Sequence, residues 1–216
     1  MGRFKIAILI CSYNEEKTIR NVVLEASKIG KVFLIDDCSQ DMTKEKISDL
    51  NIYYYKNNRN IGYERSLERG FKIVLKKNYD FLITMDADGQ HEIKSVKKII
   101  SRIKNFDILI GSRKKKNNLL EKILSFFSNK YLGIDDILCG LKAYRLRKFL
   151  KDKNKLKNII GTKYLFYGII NNLSISQVEI SCNKREVGKS RYYSNIFNYI
   201  KIFKLIFIIK NLKKNA

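Results

Sequence analysis

A chain of 216 residues with 45% apolar and 30% charged residues can bury one good core, and that balance excludes a disordered chain. Its 44 Lys and Arg against 21 Asp and Glu leave a formal charge of +23, which points to a polyanionic partner: nucleic acid, a phosphate-rich substrate or an anionic membrane surface. Cys11, Cys38, Cys139 and Cys182 show neither CxxC pairing nor metal-like spacing, so they read as reduced thiols in a cytosolic setting, with no secretory leader expected ahead of the first strand.

The first apolar run, KIAILI (5–10), reads as a short strand. Behind it Ser12 and Glu15 have capping-box spacing, and Ile19, Val22, Val23 and Ala26 keep helical periodicity. VFLIDD (32–37) is the next strand, followed by a short helix to about residue 49 and the strand IYYYK (52–56). A helix over about 63–77, the strand FLITMD (81–86), a helix over 92–104 and the strand DILIGS (107–112) complete the regular alternation. Strands alternating with helices of ten or more residues predict βαβ units and a mostly parallel sheet with helices on both faces. No composition break divides the chain before about residue 190, so one domain is expected there.

In such sheets ligands bind beyond the carboxyl ends of the strands. The polar clusters fall at those ends: Ser12-Tyr13-Asn14-Glu15, Asp36-Asp37-Cys38-Ser39, Asp86-Ala87-Asp88-Gly89-Gln90 and Gly111-Ser112-Arg113. A single DxD is well explained as a turn or a helix cap. Four polar strand ends on one edge are harder to explain that way. Asp86 and Asp88, leaving a strand into a glycine turn with the Gln90 amide two residues later, have the oxygen chemistry to hold a hard divalent cation such as Mg²⁺ or Mn²⁺. Such a cation bridges a diphosphate and neutralises charge on a leaving nucleotide.

The ordered set SYNE, IDDCSQD, NRNIG, MDADGQH, IGSR, DDILCGLKAYR and KREVGKSR resembles family 2 glycosyltransferases of the GT-A fold, and within them the polyprenol-phosphate (dolichol-phosphate) mannose and glucose synthases. The resemblance spans about residues 4–191. It implies a Rossmann-like α/β domain over 1–191 that binds a nucleotide diphosphate sugar of the GDP-mannose or UDP-glucose type. Nucleotide-sugar contacts map to Cys11, Tyr13, Glu15, Ile35, Asp37, Asp86, Ala87, Asp88 and Arg113, with Cys11, Ile35 and Ala87 acting through backbone. The metal site maps to Asp86, Asp88 and Gln90. Acceptor phosphate maps to Arg113, Arg185, Lys189 and Arg191, arginine being suited through its fixed donor fork. Three residues depart from the family pattern: Cys11 stands for its usual proline, Cys38 for its usual glycine, and Arg191 for the basic residue that usually ends GKSK, a change that keeps the charge.

Asp88 is carried over as a catalytic residue. Asp136, opening the segment before CGLKAYR, stands where related inverting enzymes place a base; a loop or N-cap aspartate is the other reading. A phosphate acceptor is already ionised at neutral pH and hardly needs a base. His91, the only histidine, reads as a local hydrogen-bonding partner or an exposed residue outside the metal's own ligands. Tyr53, Tyr54 and Tyr55 suit a strand without any base-stacking role.

Residues 192–216 form the second region. Its apolar segment Ile196–Ile209 is 14 residues, about 21 Å as a helix and short of the roughly 30 Å hydrocarbon core. Asn198, Lys201, Lys204 and Asn211 make one polar stripe, so an amphipathic helix is expected. It lies on a membrane, docks on a partner or a second copy, or packs on its own domain. The resulting expectation is metal-dependent, inverting hexosyl transfer to polyprenyl (dolichyl or undecaprenyl) phosphate by a cytoplasmic protein held peripherally at the inner face of the cell membrane. A saccharide acceptor in surface-polysaccharide synthesis is the alternative. A nucleic-acid-binding module accounts for the charge but not for acidic strand ends, so no nucleic-acid partner is expected.

Overall fold

The computed structural model describes residues 4–114, 116, 119–150, 162–183 and 204–210. Among these residues seven strands form one sheet in the order β3-β2-β1-β4-β6-β5-β7: β1 (Ile6–Ser12), β2 (Lys31–Asp36), β3 (Tyr53–Lys56), β4 (Phe81–Asp86), β5 (Ile108–Arg113), β6 (Lys142–Arg145) and β7 (Ile175–Ile180). All pairings are parallel except those of β6, which runs antiparallel to both β4 and β5. Six strands therefore end at one edge, and the single reversed strand begins there. That reversal brings the segment ahead of β6 to the edge where Asp36, Asp86 and Arg113 emerge.

The apolar runs are continuous because the sheet is covered on both sides. Along β1, Ala7, Leu9 and Cys11 enter one core while Ile8 and Ile10 enter the other. The first core is closed by α2 (Tyr63–Leu75) through Leu67, Phe71 and Val74, by α4 (Leu119–Leu132) through Leu124, and by α5 (Lys163–Ile170) through Tyr164, Leu165 and Phe166. The second is closed by α1 (Ile19–Ser27) through Ile19, Val22, Val23 and Ala26, and by α3 (Ile93–Arg102) through Val96 and Ile99. Each Val, Leu, Ile or Phe among these, at about 25 cal/mol per Å² of apolar surface buried, contributes about 1.5–3 kcal/mol.

Two expectations are corrected. The Ser12–Glu15 capping box does not form, because Ser12 is the last residue of β1 and α1 starts only at Ile19. The free amides of Asn14, Glu15 and Glu16 are taken instead by Ser39 Oγ, Thr43 Oγ1 and Asp41 Oδ2 from the loop after β2, and Asn14 is left-handed at φ 53°. The short helix before residue 49 is one 3₁₀ turn, Glu45–Ile47. Of the two readings of His91, the local hydrogen-bonding partner is the one found: its side chain is 4% accessible and its ring meets Asp86.

The strand Tyr53–Lys56 needs no base-stacking role, since the Tyr54 hydroxyl donates to Asp36 Oδ2 at 2.5 Å. Residues 204–210 form a helix, α6, whose Leu205, Ile206 and Ile209 lie in the first core while Lys204, Phe207 and Lys210 face outward. In this part of the tail the apolar residues pack on the protein's own domain. Lys210 Nζ sits 4.9 Å from the ring centroid of Phe127 on α4. Among the described residues no helix is long and apolar enough to cross a membrane.

Candidate functional site

Parallel registry assembles the site before any side chain is considered. Cys11 is paired with Ile35 on one side and with Asp86 on the other, so the ends of β1, β2 and β4 stand abreast at the point where strand order reverses. The chain leaving β1 carries Tyr13 and Glu15 across this crevice. The Thr18 hydroxyl at the head of α1 donates to the Ala87 carbonyl at 2.8 Å, tying that segment to the DADGQ turn. Burial, with Asp86 and Asp37 behind it, pushes the Cys11 thiol far above its ordinary range and keeps it neutral.

The paired aspartates after β2 divide their work. Asp36 is fully buried and accepts from the Ser39 amide at 2.8 Å as well as from Tyr54. Asp37 holds the NRNIG loop: its Oδ1 accepts from Asn57 Nδ2 at 2.7 Å and Ile61 N at 2.9 Å, and its Oδ2 from Gly62 N at 2.8 Å. Gly62, at φ 87°, adopts a left-handed conformation that favours glycine. This anchoring delivers Tyr63, the first residue of α2, to Asp86, with its hydroxyl 3.4 Å from Oδ1.

Asp86 is held more tightly than a turn residue requires. His91 Nε2 lies 3.0 Å from its Oδ2. A Cβ on Gly140 would lie 2.2 Å from either carboxylate oxygen, so only glycine fits behind it. Burial raises the Asp86 pKa, but the His91 hydrogen bond and the charges of His91, Lys142 and Arg113 outweigh it and hold the carboxyl below its usual range. Asp88 stands two residues further on, immediately ahead of Gly89 (φ 77°), and its Oδ1 accepts from Gln90 N across that glycine at 3.1 Å. Among the described residues no group of three His, Cys, Asp or Glu could hold a metal. Asp86, Asp88 and the Gln90 amide are two carboxylates and one amide oxygen, donors of the kind a hard divalent cation takes.

Arg113, at the end of β5, meets Asp136 in a bidentate pair: Nε to Oδ2 at 2.7 Å and Nη2 to Oδ1 at 3.0 Å. Glu121 lies 3.7 Å from its Nη1, and Lys116 lies 3.5 Å from Asp136. Burial raises the Asp136 pKa, yet Arg113 and Lys116 hold it below the carboxylate range. Lys142, first residue of β6, has its ammonium on the Cys139 carbonyl, and burial pulls its pKa down despite Asp136 and Asp86 nearby.

The edge therefore gathers Cys11, Tyr13, Glu15, Ile35, Asp37, Asp86, Ala87, Asp88, Gln90, Arg113 and Asp136. Arg185, Lys189 and Arg191 lie outside the described residues. Sequence reasoning had set aside His91 and had not singled out Tyr63, Gly140 or Lys142. Gly140 and Lys142 stand inside CGLKAYR, and their spacing alone does not reveal a reversed strand.

The sequence pattern of Glycosyl transferase family 2 matches residues 7–163. The chain is similar to UDP-N-acetylglucosamine–dolichyl-phosphate N-acetylglucosaminyltransferase of Methanococcus voltae, at 28% identity over 95% of this chain and 96% of that one. It is also similar to undecaprenyl-phosphate mannosyltransferase of Micrococcus luteus, at 25% identity over 89% of each. Its fold superposes on glucosyl-3-phosphoglycerate synthase from Mycobacterium tuberculosis in complex with Mn²⁺, UDP-glucose and phosphoglyceric acid. That match has a TM-score of 0.76 at 13% identity, covering 96% of this chain and 80% of the other, and places the sheet among GT-A folds.

Proposed function

The chain belongs to glycosyl transferase family 2 and is a glycosyltransferase, and from that premise we propose that it transfers a hexose, with inversion, from a nucleotide diphosphate sugar to polyprenyl phosphate. The observation that carries this reading is the acidic strand end of β4, Asp86 and Asp88 one residue apart ahead of the Gly89 turn, set at the strand-order reversal beside the segment that carries Tyr13 and Glu15. The near full-length similarity to transferases whose names specify dolichyl and undecaprenyl phosphate supports the lipid phosphate acceptor.

Asp86, Asp88 and Gln90 would hold Mg²⁺ or Mn²⁺, which when bound neutralises charge on the leaving nucleoside diphosphate. The residues themselves position. Asp37 fixes the loop that walls the nucleoside side of the crevice, and the Tyr13–Glu15 segment and the backbone of Cys11, Ile35 and Ala87 line it. Arg113 is set by Asp136 to present its remaining donors to phosphate. Asp136, kept ionised by that pair, is a poor proton acceptor, and an ionised acceptor phosphate attacks without one. Arg185, Lys189 and Arg191 complete the acceptor side in this reading. A lipid acceptor keeps its chain in a bilayer, so the enzyme works at the cytoplasmic surface of an anionic membrane, where each lysine near the surface adds about 1 kcal/mol.

The test is release of nucleoside diphosphate from a panel of UDP- and GDP-sugars with Mn²⁺ or Mg²⁺. Release that rises when polyprenyl phosphate is added supports the proposal. Release that responds only to saccharide acceptors, or thermal stabilisation by oligonucleotide rather than by nucleotide sugar with metal, overturns it.

A further inference from the structure

Three groups that take no part in the transfer as proposed surround Asp86. The His91 imidazole takes its Oδ2, the Tyr63 hydroxyl approaches its Oδ1, and the absence of a side chain at Gly140 makes room for both oxygens. Accessibility separates the roles within the closest contact. The His91 side chain is 4% exposed and the Asp86 side chain 34%, so the ring is the sheltered partner and the carboxylate the one that reaches outward.

His91 is itself held from behind. Its backbone makes an isolated antiparallel bridge with Cys182, just beyond β7, and the Cys182 Sγ lies 3.9 Å from its Nδ1. On one side of that bridge Asn183 N donates to the Gln90 carbonyl at 2.9 Å, and Gln90 Nε2 donates to the Asn183 carbonyl at 3.4 Å. On the other side Ser95 Oγ donates to the Ser181 carbonyl at 2.9 Å, and Ser181 Oγ donates to Glu92 Oε2 at 3.1 Å. The end of β7 is thus stitched along the whole turn from Gln90 to Ser95.

The geometry points to His91 as the positioning residue of Asp86, with Ser181–Asn183 as the clamp that keeps its ring in place. This rests on the metal reading given above. A carboxylate torsion is soft and roughly two-fold. With Oδ2 bound to an imidazole N–H on Nε2, and Nδ1 turned toward the Cys182 thiol, Asp86 is left to offer Oδ1 to a cation in one orientation. Loss of an outer partner of this kind costs about 10–100-fold in metal affinity. The clamp also explains why Gln90, the amide of the proposed metal set, is bonded across to Asn183 through both its main chain and its side chain.

Mn²⁺ binding, read by electron paramagnetic resonance on the full chain alone and with UDP or GDP, tests this without relying on turnover. His91→Ala is expected to weaken Mn²⁺ about 10–100-fold, with activity recovering at excess Mn²⁺. His91→Gln, whose amide N–H can stand in for Nε2–H, is expected to restore most of the affinity. Cys182→Ala is expected to weaken it by a smaller factor. Wild-type affinity in both His91→Ala and Cys182→Ala, or a glutamine variant no better than alanine, overturns the inference. If the wild type and Asp88→Asn alike bind no Mn²⁺, the metal reading itself falls.

Discussion

Replacing Asp136 by Asn separates an anchoring carboxylate from a catalytic base. The Asp136 side chain is 3% exposed and that of Arg113 17%, so the pair is largely withdrawn from water. Asp136 receives Arg113 Nε at 2.7 Å, Nη2 at 3.0 Å and the Arg113 amide at 3.2 Å. Removing one partner of such a pair costs about 3–5 kcal/mol, because the other charge stays buried. Glu121, 3.7 Å from Arg113, remains as a partial substitute and sets the lower end, about 3 kcal/mol. For a domain of this size that lowers Tm by about 6–12 °C. The difference depends on pH with a definite sign. Asp136 is held below its usual range in the folded protein, so its contribution is complete above the unfolded carboxyl value of about 3.9 and is lost as pH falls through the folded one. Melting curves of wild type and Asp136→Asn, measured calorimetrically across pH, should converge on acidification. A variant that melts with the wild type at neutral pH but has lost kcat would refute the anchoring account and make Asp136 a base.

Asp88→Asn should leave the melting temperature unchanged and reduce transfer by more than the roughly 10–100-fold typical of an outer metal partner, and excess chelator should do the same to the wild type; full turnover in either case rejects the metal assignment. Gly140→Ala places a Cβ 2.2 Å from both oxygens of Asp86, so Mn²⁺ affinity should fall, and unchanged binding would show that the carboxylate is free to move aside. Deleting residues 195–216 removes Leu205, Ile206 and Ile209 from the core, which at about 1.5–3 kcal/mol each rivals the entire stability of a domain. The truncated protein should therefore unfold or aggregate. A well-folded truncation that merely leaves anionic liposomes would return the tail to a membrane role.

The strands that carry the site were legible because their burial on both faces writes them as apolar runs: β4 was expected and is found at 81–86, and β2 and β5 are displaced by one residue. The polar residues at their ends followed from the carboxyl-edge rule, and the edge gathers Asp37, Asp86, Asp88 and Arg113 as anticipated. What escaped was set by long-range pairing. The amides ahead of α1 are capped by side chains 25–28 residues away, which a local S-x-x-E pattern cannot register. The strand β6 is four residues long, and its strand character comes from lying between β4 and β5 rather than from any alternation of its own. His91 looked like an ordinary helix-opening residue because the partner behind its ring, Cys182, is 91 positions away in sequence.

The central claim is that the acceptor is a lipid phosphate served by the acidic end of β4. The most direct measurement is transfer of radiolabelled sugar, from the nucleotide sugar selected by the donor panel, into the organic phase with polyprenyl phosphate and Mn²⁺, run side by side for wild type and Asp88→Asn. The account predicts a labelled, acid-labile polyprenyl phosphate sugar formed by the wild type and absent with Asp88→Asn or without metal. Label appearing only in water-soluble saccharide, or lipid product formed equally by the Asp88→Asn variant, would contradict it.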